Sequence, residues 1–223
     1  MLIGRNLSLV YTEGGLSEAA VDDACITIGS GEFVGIVGPS GSGKSSLLYL
    51  LSGLKRPTGG EVSYEGSAYS FLRESAVRKL RLENFGFVFQ QHFLINYLKS
   101  WENVLVSTDG RFTKGAAVEL LEKVGVAGQA EKYPYQMSIG QRQRVAVARA
   151  LICKPKVIFA DEPTASLDHA AGGGVIKALS EFRAKSALVV VTHDPEILID
   201  ADRILTMRDG RLSEEIVVAR APA

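Results

Sequence analysis

Residues 33–54 read Phe33-Val34-Gly35-Ile36-Val37-Gly38-Pro39-Ser40-Gly41-Ser42-Gly43-Lys44-Ser45-Ser46-Leu47-Leu48-Tyr49-Leu50-Leu51-Ser52-Gly53-Leu54, and the order of residue types in this stretch decides the fold. Glu32 to Val37 is a short apolar run that stops at Gly38, the pattern of a buried strand. Ser45 to Leu54 has the pattern of a helix, with Leu47, Leu48, Leu50, Leu51 and Leu54 apolar and Gly53 near its end. Gly38 to Ser45, between them, fits GxxxxGK[ST]. Glycines there let backbone N–H groups turn inward around phosphate oxygens, and the amino end of the helix adds a favourable potential. Lys44 then reaches the β- and γ-phosphates and Ser45 offers its hydroxyl to Mg²⁺. The candidate nucleotide-binding residues are Gly38, Ser40, Gly41, Ser42, Gly43, Lys44, Ser45 and Ser46.

Working outward, a second strand over Lys156 to Ala160 ends in two acids, Asp161 and Glu162, and a third over Ala187 to Thr192 ends at His193. Asp161 is the candidate to hold Mg²⁺ through water and Glu162 to orient or polarise an attacking water. Runs that are apolar throughout and separated by helical stretches describe a mostly parallel sheet covered on both faces, with functional residues at the carboxyl ends of its strands. The middle of the chain changes character. Trp101 to Ser107, Thr113 to Val124 and Ile139 to Ile152 carry helical patterns, so residues 90–151 read as a helical lobe inserted into an α/β core made of residues 1–89 and 152–223. Near the end, Arg203 to Met207 and Arg211 to Ile216 flank Asp209-Gly210, a hairpin signal. Gly172, Gly173 and Gly174 are expected to weaken a helix start.

Composition excludes several classes. The 223 residues include 46% apolar and 22% charged side chains, an ordinary globular balance that allows a sizeable core. The 25 basic and 25 acidic residues cancel, so no overall field favours a nucleic-acid partner. No apolar stretch approaches the ~20 residues that cross a bilayer, and Met1 to Val10 lacks the basic start and long apolar core of a secretory signal. Cys25 and Cys153 stand apart from any metal-binding spacing and read as small core residues of a protein in a reducing compartment.

Further motifs in order along the chain resemble the ATPase domains of ABC transporters, and the resemblance runs from Tyr11 to about Leu212. Met137-Ser138-Ile139-Gly140-Gln141, followed by Arg142 to Leu151, looks like the family's signature and its helix. Gln90, in Phe87-Val88-Phe89-Gln90, matches the glutamine that in the family contacts Mg²⁺ and water and links the site to the membrane subunit. Ser166-Leu167-Asp168 resembles the D-loop, and His193 the switch histidine near the γ-phosphate. Tyr11 matches the aromatic that stacks on adenine; an ordinary strand aromatic is the alternative reading. The signature departs from the family in having Ile139 where a glycine is usual; Ser138 and Gly140 are kept, so closure is expected to persist, while the bulk and stiffness of a β-branched residue leave room for slower turnover.

The resemblance implies a phosphate-loop core with an N-terminal antiparallel β part and an inserted helical subdomain, ATP and Mg²⁺ as ligands, and a homodimer that closes on nucleotide. Each composite site then joins Lys44, Ser45, Asp161, Glu162, Gln90 and His193 of one copy to Ser138, Gly140 and Gln141 of the other. It also implies an integral membrane permease as partner and a peripheral place on the cytoplasmic face of the inner membrane. Phe93, Tyr97 and Trp101 are either part of the permease dock or core aromatics of the helical lobe. Leu80 to Gln90, Trp101-Glu102-Asn103-Val104 and Ala160 to Thr164 are similar to the macrolide-export and lipoprotein-release branch. The alternatives are the ATPase of a mechanotransmitting complex and a soluble ABC protein of DNA repair or translation.

Overall fold

The computed structural model describes residues 1–167, 169–182 and 186–217. Strands β1 (Leu2–Glu13) and β2 (Leu16–Ile28) form a hairpin whose turn, Gly14-Gly15, has both residues at positive φ. After β3 (Phe33–Val37) and helix α1 (Lys44–Leu51), strands β4 (Gly59–Tyr64) and β5 (Ser67–Ala68) return to that hairpin. The result is a four-stranded antiparallel sheet in the order β2-β1-β4-β5.

The second sheet carries the functional end of the molecule. Helix α2 (Glu74–Asn84) leads into β6 (Phe85–Val88). Helices α3 (Ser100–Leu105), α4 (Lys114–Lys123) and α5 (Ile139–Leu151) follow, then β7 (Val157–Asp161), α6 (His169–Glu181) and β8 (Ala187–Thr192). Strands β9 (Arg203–Arg208) and β10 (Arg211–Val217) close the chain as a hairpin over Asp209-Gly210. The strand order is β10-β9-β3-β8-β7-β6, and every pairing is parallel except that of β9 with β10.

Every residue of β7 and β8 is buried, because both faces of this sheet are covered. Alternate side chains feed two separate cores. Ile158, Ala160, Leu188 and Val190 join the helices α3 to α6 on one side. Phe159, Val189 and Val191 join α1 and the antiparallel sheet on the other. A polar residue at either set of positions would forfeit about 1.5–3 kcal/mol of apolar burial and leave its polar atoms unmatched.

Three expectations change. Helix α1 spans Lys44–Leu51 rather than continuing to Leu54, because Gly53 (φ 67°) turns the chain where a Cβ would strike Val77 Cγ1 at 2.8 Å. The glycine tract does not break a helix start, for Gly172 to Gly174 lie inside α6. Their value is closeness: a Cβ on Gly174 would sit 2.3 Å from Arg144 Nη2, and one on Gly172 3.2 Å from Thr164 Cβ. Of the two cysteines, only Cys153 packs against a core, the helical one. Cys25 falls on the outward-facing alternate of β2 and is exposed, and Cys153 is half-buried.

Candidate active site

The loop from Gly38 to Gly43 is folded tightly against the rest of the protein. Gly41 (φ 79°) and Gly43 (φ 99°) adopt backbone that favours glycine. A Cβ on Gly38 would meet the Met207 carbonyl oxygen at 2.2 Å, and one on Gly43 the Ala20 carbonyl oxygen at 2.0 Å. The Gly210 backbone N–H donates to the Ser42 carbonyl (3.1 Å), so the β9–β10 turn buttresses the loop from behind. Within it, Lys44 is buried and its Nζ donates to the carbonyls of Gly38 (2.8 Å) and Pro39 (2.9 Å). The Ser42 hydroxyl is buried without a hydrogen-bond partner among the described residues.

Strand register brings the acids to this loop. Asp161 pairs with Val191 across β7 and β8, so Glu162, one residue beyond the first, and His193, two beyond the second, emerge side by side. The Ser45 hydroxyl donates to Asp161 Oδ1 at 2.7 Å. Glu162 holds a left-handed backbone (φ 46°), fixed by its N–H on the Val191 carbonyl (2.9 Å), and its Oε2 lies 2.8 Å from His193 Nδ1. Ser40, Gly41, Gly43, Lys44, Ser45, Ser46, Gln90, Glu162 and His193 all line one cleft of about 470 Å³. Tyr11 stands at its edge, 38% exposed, with its hydroxyl 3.5 Å from Ser46 Oγ and Lys55 Nζ 4.3 Å from its ring centre.

The signature residues are elsewhere. Ser138, Gly140 and Gln141 lie outside the lining of that cleft, at the amino end of α5. Ser138 Oγ accepts from the Gln141 N–H (3.2 Å) while Gln141 Oε1 accepts from the Ser138 N–H (3.0 Å), a reciprocal cap. Ile139 projects outward, 47% exposed. Asp168 lies outside the described residues.

Two participants were not foreseen. The Tyr49 hydroxyl donates to Asp161 Oδ2 at 2.7 Å, and burial, then the neighbouring carboxylate, pushes its pKa up. The signal was present, since Tyr49 follows Ser45 by four residues and so shares its helix face. Gln143 is the second: it is 2% exposed, with Nε2 on the carbonyls of Phe89 (2.9 Å) and Pro163 (3.0 Å). A glutamine at an apolar-face position of α5 was its mark in the sequence.

A glycine loop between strand and helix, a lysine folded into it, and a hydroxyl tied to a strand-end aspartate define the class of phosphate-loop nucleotide-binding α/β proteins. The chain belongs to the ABC transporter family, whose description matches residues 21–165. An uncharacterized ABC transporter ATP-binding protein of Methanocaldococcus jannaschii is 41% identical, over 97% of this chain and 99% of that protein. The lipoprotein-releasing system ATP-binding protein LolD of Bordetella pertussis is 40% identical over 96% of each. Among solved structures, a dimeric ATP-binding cassette in a post-hydrolysis state with ADP and Pi superposes with a TM-score of 0.92 at 35% identity, covering 98% of this chain and 99% of that one. Among the described residues no helix is long and apolar enough to cross a membrane.

Proposed function

We propose that this chain binds and hydrolyses ATP as one of two identical copies and, through their closure, drives a separate membrane permease of the export or lipid-extraction type. The single observation that carries the reading is the convergence of Lys44, Ser45–Asp161 and Glu162–His193 on one cleft at the strand ends. The cleft fits a triphosphate: the loop around it has no room for a Cβ at Gly38 or Gly43 and turns at positive φ at Gly41, a glycine cradle of the kind that points backbone N–H groups at phosphate oxygens. Lys44 supplies the cation for the β- and γ-phosphates. Ser45, Asp161 and Gln90 are the residues to hold Mg²⁺, a hydroxyl, a carboxylate and an amide of the kind that completes an ion otherwise bound by phosphate oxygens. When bound, the ion neutralises developing charge on the phosphates.

Glu162 orients and polarises the attacking water, and His193 fixes the carboxylate's direction. Tyr11, exposed at the cleft edge, gives adenine a ring to stack on. Ser138, Gly140 and Gln141 serve the partner copy's nucleotide, which accounts for their absence from their own chain's cleft. Asp168 is assigned to the dimer contact by its motif alone. The division of labour follows the chain: residues 1–89 and 152–223 form the nucleotide core and 90–151 the helical subdomain.

An apolar groove of about 510 Å³, lined by Leu54, Leu82, Phe87, Phe89 and Phe93 and rimmed by Arg78, lies beside Gln90 and is the dock for a permease helix at the cytoplasmic membrane face. Phe93 (61% exposed) lines that groove, Tyr97 (80% exposed) lies outside its lining, and Trp101 packs against the helical core. Glu162→Gln tests the whole scheme. It retains ATP, lowers turnover by a factor of roughly 10²–10⁴, and accumulates as a dimer in scattering with saturating ATP and Mg²⁺. A variant that remains monomeric there refutes the scheme.

A further inference from the structure

Helix α5 does more than present its amino end. Gln143 spends both amide N–H groups inside the protein, one on the carbonyl of Phe89, immediately before Gln90, and one on the carbonyl of Pro163, immediately after Glu162. Six residues further along the same helix, Arg149 Nη2 donates to the His92 carbonyl (2.7 Å) and its Nη1 to the Phe93 carbonyl (2.6 Å). One helix therefore grips the backbone on both sides of Gln90 and on the far side of Glu162.

The gripped segments need holding. Glu162 (φ 46°) and Phe93 (φ 44°) are both non-glycine residues in left-handed backbone, a conformation that costs on the order of 1 kcal/mol or more and persists only where its surroundings enforce it. Phe93 is gripped directly and Glu162 through its neighbour. The helix is also seated without slack against β6, where a Cβ on Gly86 would lie 2.5 Å from the Ala150 carbonyl oxygen. At its other end the reciprocal cap between Ser138 and Gln141 stiffens the exposed first turn.

We propose that Gln143 is a positioning residue that fixes Gln90 and Glu162 of its own cleft to the rigid α5. The exposed Ser138 to Gly140 turn and the water-orienting groups on the same chain then move as one body. The proposal rests on the ATP-dimer reading and adds to it a direction of transmission: contact between one copy's signature turn and the other copy's nucleotide is felt at the first copy's Gln90 and Glu162.

The test is Gln143→Met, similar in length and unable to donate, made alone, in a Gln90→Ala background and in a Glu162→Gln background. Melting temperature, affinity for a fluorescent ATP analogue, kcat and KM are followed in the intact chain. A displacement of the water-orienting groups lowers kcat about tenfold to a hundredfold while nucleotide affinity stays within about twofold, because the phosphate loop is untouched. If Gln143 acts through Gln90, adding Gln143→Met to Gln90→Ala lowers kcat by much less than it does alone. Gln143→Glu guards against a variant that does not fold: its buried, protonated acid donates one hydrogen bond and so gives an intermediate kcat. A loss undiminished both in the Gln90→Ala background and in the Glu162→Gln background, or a fall in nucleotide affinity in step with melting temperature, reduces Gln143 to core packing and overturns the proposal. A wild-type chain that hydrolyses ATP at the same rate as Gln143→Met sinks the proposal alone. A wild type that neither binds nor hydrolyses ATP removes the reading beneath it as well.

Discussion

The strand-end cleft and the amino end of α5 are built on opposite plans. In the cleft, polar groups answer one another: Lys44 with loop carbonyls, Ser45 and Tyr49 with Asp161, Glu162 with His193. At Ser138 to Gln141 the polar groups satisfy only themselves, and an isoleucine faces outward. A region whose groups converge can hold a ligand by itself, whereas a capped, exposed helix end is surface waiting for something outside its own chain. The difference teaches that one polypeptide carries two unlike polar regions, and the proposed dimer gives the second a role by setting it against another copy's nucleotide.

The contrast breaks most sharply at Lys44. Lys44→Ala removes the one buried cation of the loop, and ATP affinity measured by titration should fall by roughly ten- to a hundredfold, the loss of a charge-assisted hydrogen bond. Unchanged binding would show that the cleft is not a phosphate site. At the other half, Ser138→Ala should cost about 1 kcal/mol of stability as a lost cap, and Ser138→Asp should recover that stability without recovering ATP-dependent dimerisation. A Ser138→Asp protein that closes normally would make the serine a structural cap and nothing more. Ile139→Gly should raise turnover several-fold and lower melting temperature slightly, since glycine frees the backbone and weakens the first turn. If steady-state rate and closure do not change, the isoleucine is no obstacle.

The smallest effect concerns the helices that support α5. Lys114 and Lys99 hold the Glu131 carboxyl down to about 2, tying α4 and the start of α3 together. A depressed carboxylate contributes stability that is fully present above its ordinary value near 4.5 and is lost as pH falls toward about 2. Glu131→Gln should therefore lower the melting temperature a little at pH 7 and much less as the pH falls through about 2. The pair is exposed, so the shift should also shrink in high salt.

How much of this could be read from residues alone varies with the kind of signal. Gly38 to Ser45, Asp161-Glu162 and His193 were legible because each ends or follows an apolar strand, and β7 and β8 occur where those runs stand. Their meeting was not legible, since it depends on the β7–β8 register that pairs Asp161 with Val191. Helices α3, α4 and α5 followed their apolar periodicity to within a residue or two. Gly172 to Gly174 misled, because propensity alone argues against a helix there and the gain comes from how near Arg144 and Thr164 can then approach. Cys25 misled for a related reason: period-two alternation in β2, not residue type, decides which side it faces. Tyr49 and Gln143 carried only a helix-face signal, which became meaningful once their partners in β7 and beside Gln90 were placed.

Ser42 leans on Gly210, and Gly38 on Met207, residues synthesised some 170 positions later. A ribosome that has translated the glycine loop and its helix has therefore not yet made the backing on which they rest. The glycine loop gains its backing only when the β9–β10 turn has emerged and folded back, so disruption of that hairpin should be felt first at the loop, far earlier in the chain.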